Sequence, residues 1–204
     1  MKTVLALVAA MFAVPPMALL AYPREAEMNS AFNQHDLWER ARALWVAIAF
    51  ADLAGYTRLT EEQGEEEAVG AVERFVEAVE HTLPDDARVI KTIGDEVMVV
   101  GSDAAGLVDW AVGFQLLHRA RPLPRIGIHY GETLYRDGDY YGREVNLAAR
   151  VAARSAGGEV VVTRPLVDLS GRHLEFERIG EVRLKGFTEP TELYLARQAY
   201  GEED

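Results

Sequence analysis

The sequence contains no cysteine, which removes disulfides, thiolate metal sites and cysteine nucleophiles from consideration. It also lacks any excess of positive charge: 21 basic residues against 33 acidic ones leave a formal net charge of −12. A chain this acidic does not hold a nucleic-acid backbone by general electrostatics, so no nucleic-acid partner is expected. A small anionic ligand stays open, because a few local cations and a metal can hold a nucleotide. Internal repeats, low-complexity tracts and a second core are missing as well. What remains is ordinary globular composition, 49% hydrophobic and 26% charged over 204 residues. At roughly 150 residues per domain, that is one domain with an appendage, neither disordered nor fibrous.

The appendage is N-terminal. Residues 1–21, MKTVLALVAAMFAVPPMALLA, set one lysine before an apolar run broken by Pro15 and Pro16. A membrane anchor, a signal-like segment and a terminal core helix all compete for it. The run reaches the roughly 20 residues of a span, but the double proline would kink it. A cleavage site after Ala21 would put Leu19 where a small residue belongs. Residues 22–43 read as a linker or short helix, 44–198 as the single domain, and 199–204 as an acidic tail.

Within the domain, LWVAIAFAD (44–52) is a continuous apolar run ending in an acid, the pattern of a buried central strand. Thr60 reads as the N-cap of a helix over 61–81. There Val69, Val72, Phe75, Val76 and Val79 recur at helical spacing among glutamates, which gives an acidic solvent face. RVIKTI (88–93) and EVMVVG (96–101) form a hairpin around Gly94-Asp95. A helix over 104–118, a strand over 124–132, a polar loop over 134–144 and a helix around 143–155 follow. Strands at 159–163, 174–180 and 192–198 close the chain. The order β-α-β-β-α-β, then α-β-β-β, predicts an α+β fold: a ferredoxin-like split β-α-β core with a C-terminal strand extension.

Several residues in this pattern could carry chemistry. Asp52 ends an apolar strand, where a carboxylate is paired, caps the next segment or holds a metal. Asp95 suits its turn for local hydrogen bonding alone. In a split β-α-β fold, however, both carboxylates project at one end of neighbouring strands, and hard oxygen ligands beside an open site suit Mg²⁺ with a substrate's phosphates. Glu96 is expected to point to the opposite face if it continues the strand. Lys91 is either a snorkelling strand lysine or a donor inside a pocket. Asn146 and Arg150 share one helical face at i, i+4; they form either a clamp for phosphate and ribose oxygens or a solvated polar face.

Together these segments resemble the catalytic domains of class III nucleotide cyclases. FADLAGYT (50–57) is similar to that family's first metal motif and KTIGDEVM (91–98) to its hairpin motif. RIGIHYGE (125–132), DYYGREVNLAARV (139–151) and RLKGFTEPTELYLA (183–196) resemble the strand, the loop-and-helix segment and the closing hairpin that follow. The resemblance implies that Asp52 and Asp95 hold two Mg²⁺ or Mn²⁺ ions per active site. Arg150 would stabilise charge on the transferring phosphoryl group, Asn146 would orient the ribose, and Lys185 is either a terminal-phosphate contact or a solvated strand lysine.

Lys91 and Asp139 would read the base. An ammonium donates to adenine N1 and a carboxylate accepts from the 6-amino group, whereas guanine presents the reverse pattern, so the pair implies ATP as substrate. The resemblance further implies an adenylate cyclase that makes cyclic AMP and pyrophosphate. It would work as a homodimer with composite active sites, the carboxylates from one subunit and the lysine, Asn and Arg from the other. A cytoplasm-facing domain follows from the need for ATP, either soluble or anchored to the inner face of the membrane through residues 3–21. A diguanylate-cyclase-like enzyme and a non-catalytic nucleotide-sensing domain are the alternatives. The first is weakened because Ile93-Gly94-Asp95-Glu96-Val97 lacks that family's leading glycine and aromatic residue.

Overall fold

Alternation decides how β1 (Arg42–Leu53) is used. Ala47, Ala49, Ala51 and Leu53 face one apolar core, while Val46, Ile48 and Phe50 face another on the opposite side of the sheet. This computed structural model describes residues 42–199. The expectations for the apolar N-terminal run, for residues 22–41 and for residues 200–204 lie outside the described residues, while Arg42 and Ala43 already belong to β1. β1 is central: it pairs antiparallel with β3 (Glu96–Gly101) and with β4 (Pro124–Arg136). β2 (Ala87–Ile93) flanks β3. The resulting order β2-β3-β1-β4 is the split β-α-β arrangement expected from the sequence. The sheet then continues through β6 (Val160–Thr163), parallel to β4, to β8 (Thr191–Gln198) and the edge strand β7 (Leu174–Val182).

The helices divide between the two faces. α2 (Glu65–Thr82), α3 (Ala104–Leu117) and α5 (Arg164–Leu169) bring Phe75, Val79, Leu107, Phe114 and Leu166 to the first core. Among the described residues, α4 (Arg143–Ala152) alone packs on the other face. Its Val145, Ala148 and Ala152 meet Ile48, Phe50 and Met98, and its Leu147 and Val151 meet Leu193 and Leu195. One face of the sheet is thus covered by several helices and the other by a single one. The residues singled out from the sequence lie on or beside the sparsely covered face.

Three local expectations are corrected. The single helix expected over 61–81 is two: α2 from Glu65 and, before Gly64 at φ 90°, α1 (Tyr56–Gln63), which begins earlier because Gly55 takes a left-handed φ of 89° and turns the chain directly from strand into helix. Thr60 is therefore not an N-cap; it lies inside α1, where its hydroxyl donates to the Tyr56 carbonyl at 3.1 Å. The polar loop at 134–144 is largely strand: β4 runs on to Arg136 and turns through Asp137-Gly138 into β5 (Asp139–Tyr141). Both turn residues have positive φ, 52° and 87°, as the type I′ form of a two-residue hairpin turn requires.

The seating of α4 depends on Gly127 in β4. A Cβ there would lie 2.0 Å from the Ala152 backbone nitrogen and 2.3 Å from its Cα, so any side chain must lift the helix. Gly127→Ala is expected to cost about 3 kcal/mol by overpacking. Urea denaturation measures that loss, and a change below about 0.5 kcal/mol would contradict the close seating.

Candidate functional site

The first cluster forms where β1, the β2–β3 turn and the start of β4 meet. Asp52 is 8% exposed. The register pairs it with Arg125, whose Nε donates to Asp52 Oδ1 and whose Nη2 donates to Oδ2 at 2.7 Å. This is a bidentate, charge-assisted pair. Asp95 occupies the two-residue turn, beside Gly94 at φ 64°. Burial raises the Asp95 pKa, and the nearby Asp52 charge adds to the rise. Glu96 is pushed up by burial and then by Asp52 and Asp95. Ala51 pairs with Val97, so Glu96 continues β3 next to Asp52 and does not turn away from it. Alternation does not separate Glu96 from Asp95, because Asp95 sits in the turn, outside the pleat. Three carboxyl groups and one guanidinium therefore share this end of the sheet.

The second cluster joins segments 48 residues apart. Lys91 Nζ donates to Asp139 Oδ2 at 2.6 Å. Burial opposes ionisation of Asp139, but the Lys91 hydrogen bond and the Tyr140 backbone N–H outweigh it, so its pKa falls below the usual value. The short β5 hairpin is braced here by Tyr140, which is buried among Ile48, Phe50 and Met98. Arg88 adds a hydrogen bond to the Tyr140 hydroxyl at 3.3 Å. The two side chains are 36% and 25% exposed, so their groups remain accessible to a ligand.

The third cluster lies on α4. Val145, Leu147, Ala148 and Val151 bury one side of the helix, which leaves Asn146 and Arg150 exposed on the other. They line a cavity of about 490 Å³ with Arg143, Lys185, Phe187 and Thr188. Lys185 is in the turn after β7, so of its two readings the strand lysine does not hold. Asn146, Arg150 and Lys185 thus share one cationic cavity. Arg150 also lies close enough to Glu96 to counter the rise in its pKa.

Arg125 is not distinguished by the sequence pattern, and Glu96 is set aside there as facing away. Arg125 opens the strand segment RIGIHYGE, and only its register opposite Asp52 reveals the pairing. The donor set at the carboxylate end is all hard oxygen and crowds negative charge that a divalent cation would relieve. Asp52 and Asp95 are the kind of two-carboxylate set that Mg²⁺ or Mn²⁺ occupies together with water and phosphate oxygens. Among the described residues no group of three or more His, Cys, Asp or Glu side chains is placed to hold a metal by itself. A cationic cavity, a hydrogen-bonding donor–acceptor pair and a carboxylate pair of the kind that suits divalent cations are the chemical elements from which a nucleotide site can be built.

Comparison with known proteins agrees with this picture. Residues 39–198 match the family model described as the adenylate and guanylate cyclase catalytic domain. An adenylate cyclase of Streptomyces griseus is 35% identical over 132 residues, 63% of this chain and 33% of that protein. A pH-sensitive adenylate cyclase of Mycobacterium tuberculosis is 31% identical over 161 residues, 75% of this chain and 41% of that protein. The chain spans about two fifths or less of the length of these relatives. Among solved structures, the adenylyl cyclase CyaB from P. aeruginosa superposes with a TM-score of 0.68 at 24% identity, covering 80% of this chain and 99% of that one. The guanylyl cyclase Cya2 superposes with a TM-score of 0.65 at 19% identity, covering 80% and 97%. Both structural likenesses concern the fold.

Proposed function

The chain belongs to the family of adenylate and guanylate cyclase catalytic domains, and on that premise we propose that it converts ATP to 3′,5′-cyclic AMP and pyrophosphate in a homodimer. The observation that carries the choice of ATP is the Lys91–Asp139 pair, held at 2.6 Å. It offers one donor and one acceptor side by side, complementary to adenine N1 and the 6-amino group. Guanine would meet a donor with its own N1–H and an acceptor with its 6-oxo group.

In this reading the ribose 3′-oxygen attacks the α-phosphorus, a new O3′–P bond forms, and pyrophosphate leaves. Asp52 and Asp95 would hold two Mg²⁺ or Mn²⁺ ions, which when bound lower the pKa of the 3′-hydroxyl and neutralise the phosphates. The Arg125 guanidinium, paired with Asp52 in this structure, would share that carboxylate with a bound cation. The backbone from Leu53 to Thr57 leads into the N-terminus of α1, which favours an anion. Asn146 orients the ribose, and Arg150 stabilises charge that grows on the transferring phosphoryl group. Lys185 contacts the terminal phosphates. The carboxylates come from one protomer and Lys91, Asp139, Asn146 and Arg150 from its partner, so two-fold symmetry creates two equivalent sites.

The catalytic domain, proposed at 44–198, faces the ATP-containing cytoplasm, free or anchored through residues 3–21. Among the described residues no helix is long and apolar enough to cross a membrane. The test incubates the full chain with Mn²⁺ or Mg²⁺ and either ATP or GTP, and identifies products by chromatography. Cyclic AMP and pyrophosphate from ATP are expected. Cyclic GMP as main product would overturn the base assignment, a cyclic dinucleotide would indicate the diguanylate-type reaction, and nucleotide binding without product would indicate a sensor.

A further inference from the structure

We propose that His129 and Glu144 are positioning residues for this reaction: their hydrogen bond pins the first turn of α4 to the sheet and thereby aims Asn146 and Arg150. The proposal rests on the cyclase reading for the roles of those two residues. His129 lies on β4, on the face that α4 covers, and is 6% exposed. Both ring nitrogens are engaged: Nδ1 lies 2.8 Å from Thr163 Oγ1 on β6, and Nε2 lies 2.6 Å from Glu144 Oε2 on α4. The other carboxylate oxygen of Glu144 accepts from Arg143 Nη1 at 2.9 Å. Arg143 in turn lies over the Phe187 ring, 5.0 Å from its centroid, two residues beyond Lys185. One chain of contacts thus connects β6, β4, α4 and the loop after β7.

The protonation states are consistent with one tautomer. Burial lowers the His129 pKa, so the ring is neutral near pH 7. Burial works against ionisation of Glu144, but hydrogen bonds from Arg143 and His129 outweigh it and hold its pKa below the usual value. An ionised carboxylate only accepts, so Nε2 carries the proton and Nδ1 accepts from the Thr163 hydroxyl. Neither nitrogen is left to touch substrate.

Space has been cleared for this contact. A Cβ at Gly131 would come within 2.9 Å of both His129 Nε2 and Glu144 Cγ, so the bare backbone at that position lets the carboxylate reach the ring. The apolar side of α4 fixes which face meets the sheet, and the close approach of Ala152 to Gly127 seats its C-terminal end. The helix has no side-chain N-cap, since Gly142 occupies that position. A directional hydrogen bond two residues before Asn146 removes the remaining freedom. A misplacement of about 1 Å can cost on the order of 100-fold in rate.

The experiment compares the full chain with Glu144→Ala, Glu144→Gln and Gly131→Ala. Glu144→Ala is expected to lower kcat about 30-fold while the KM for ATP stays within about threefold, because Asn146 and Arg150 act mainly in the transition state. Its unfolding midpoint should stay within a few degrees of wild type. Glu144→Gln keeps an acceptor for Nε2–H and should recover at least about a third of kcat. Gly131→Ala should resemble Glu144→Ala. Hydrogen exchange supplies a readout that does not depend on turnover: amides 145–150 should exchange about tenfold faster in Glu144→Ala and not in Glu144→Gln. Unchanged exchange, or a kcat for Glu144→Ala within about twofold of wild type, overturns the proposal. A wild-type protein that makes no cyclic nucleotide sinks the cyclase reading instead, while exchange still decides whether the contact pins the helix.

Discussion

Asp52→Ala and Arg150→Ala are each expected to lose on the order of 10³-fold in cyclase rate, and their equimolar mixture to regain about a quarter of wild-type activity. Removing one preorganised charge from a developing anion typically costs 10²–10³-fold, and loss of a metal carboxylate acts on the same step. The quarter follows from symmetry: random pairing makes about half of the dimers mixed, and one of the two sites in each is intact. Both variants must fold for the result to bear on sites shared between protomers. Arg150 is exposed and outside both apolar cores of α4, so its removal leaves packing untouched. Asp52→Ala strands the Arg125 guanidinium, but 34% of that side chain already reaches solvent, so it can rehydrate. Asp52→Asn keeps part of the hydrogen bonding and serves as the control. A mixture of two folded, dimeric, inactive variants that shows no recovery would count directly against sites shared between protomers.

Some of this site was legible in the chain and some was not, for definable reasons. Asp52 stood out because a charge at the end of the run LWVAIAFA is costly unless it has a task. Asp95 was placed beside it by topology, since a split β-α-β core sets the first strand next to the hairpin, and the order β2-β3-β1-β4 does so. Arg125 was invisible because its partner is 73 residues away; a strand-opening arginine looks like any exposed residue until register is known. His129 and Glu144 escaped for the same reason, although Gly131 beside them carried a signal: a glycine within a strand marks close approach of another group. The error at α1 arose from competing start signals. Thr60 has the right side chain for an N-cap, but Gly55 had already reversed the backbone five residues earlier. Local chemistry therefore identified candidate donors and ligands, while pairings across strands and between sheet and helix required the fold.

Exchanging the base-reading pair is the second change with a large expected effect. Lys91→Glu combined with Asp139→Cys should lower kcat/KM for ATP by on the order of 10³-fold and raise that for GTP, read from cyclic nucleotide formed from each substrate. A site built to hydrogen-bond a substrate rejects a mismatched analogue by as much as about 10⁴–10⁵-fold when its groups are buried, and the partial exposure of this pair, 36% and 25%, lowers the expected factor. The two substitutions should not act independently. Lys91 now donates to Asp139 at 2.6 Å, and that contact helps to hold the β5 hairpin against β2. Lys91→Glu alone sets two carboxylates against each other at the same spot, so it should impair both substrates and lower the unfolding midpoint. Adding Asp139→Cys removes the repulsion, leaves an acceptor for guanine N1–H, and should restore the midpoint. Recovery of stability together with GTP turnover in the double variant, against losses in the single one, is the signature of a pair that reads the base directly. ATP turnover unchanged in the double variant would refute that role for Lys91 and Asp139, whatever the protein's activity.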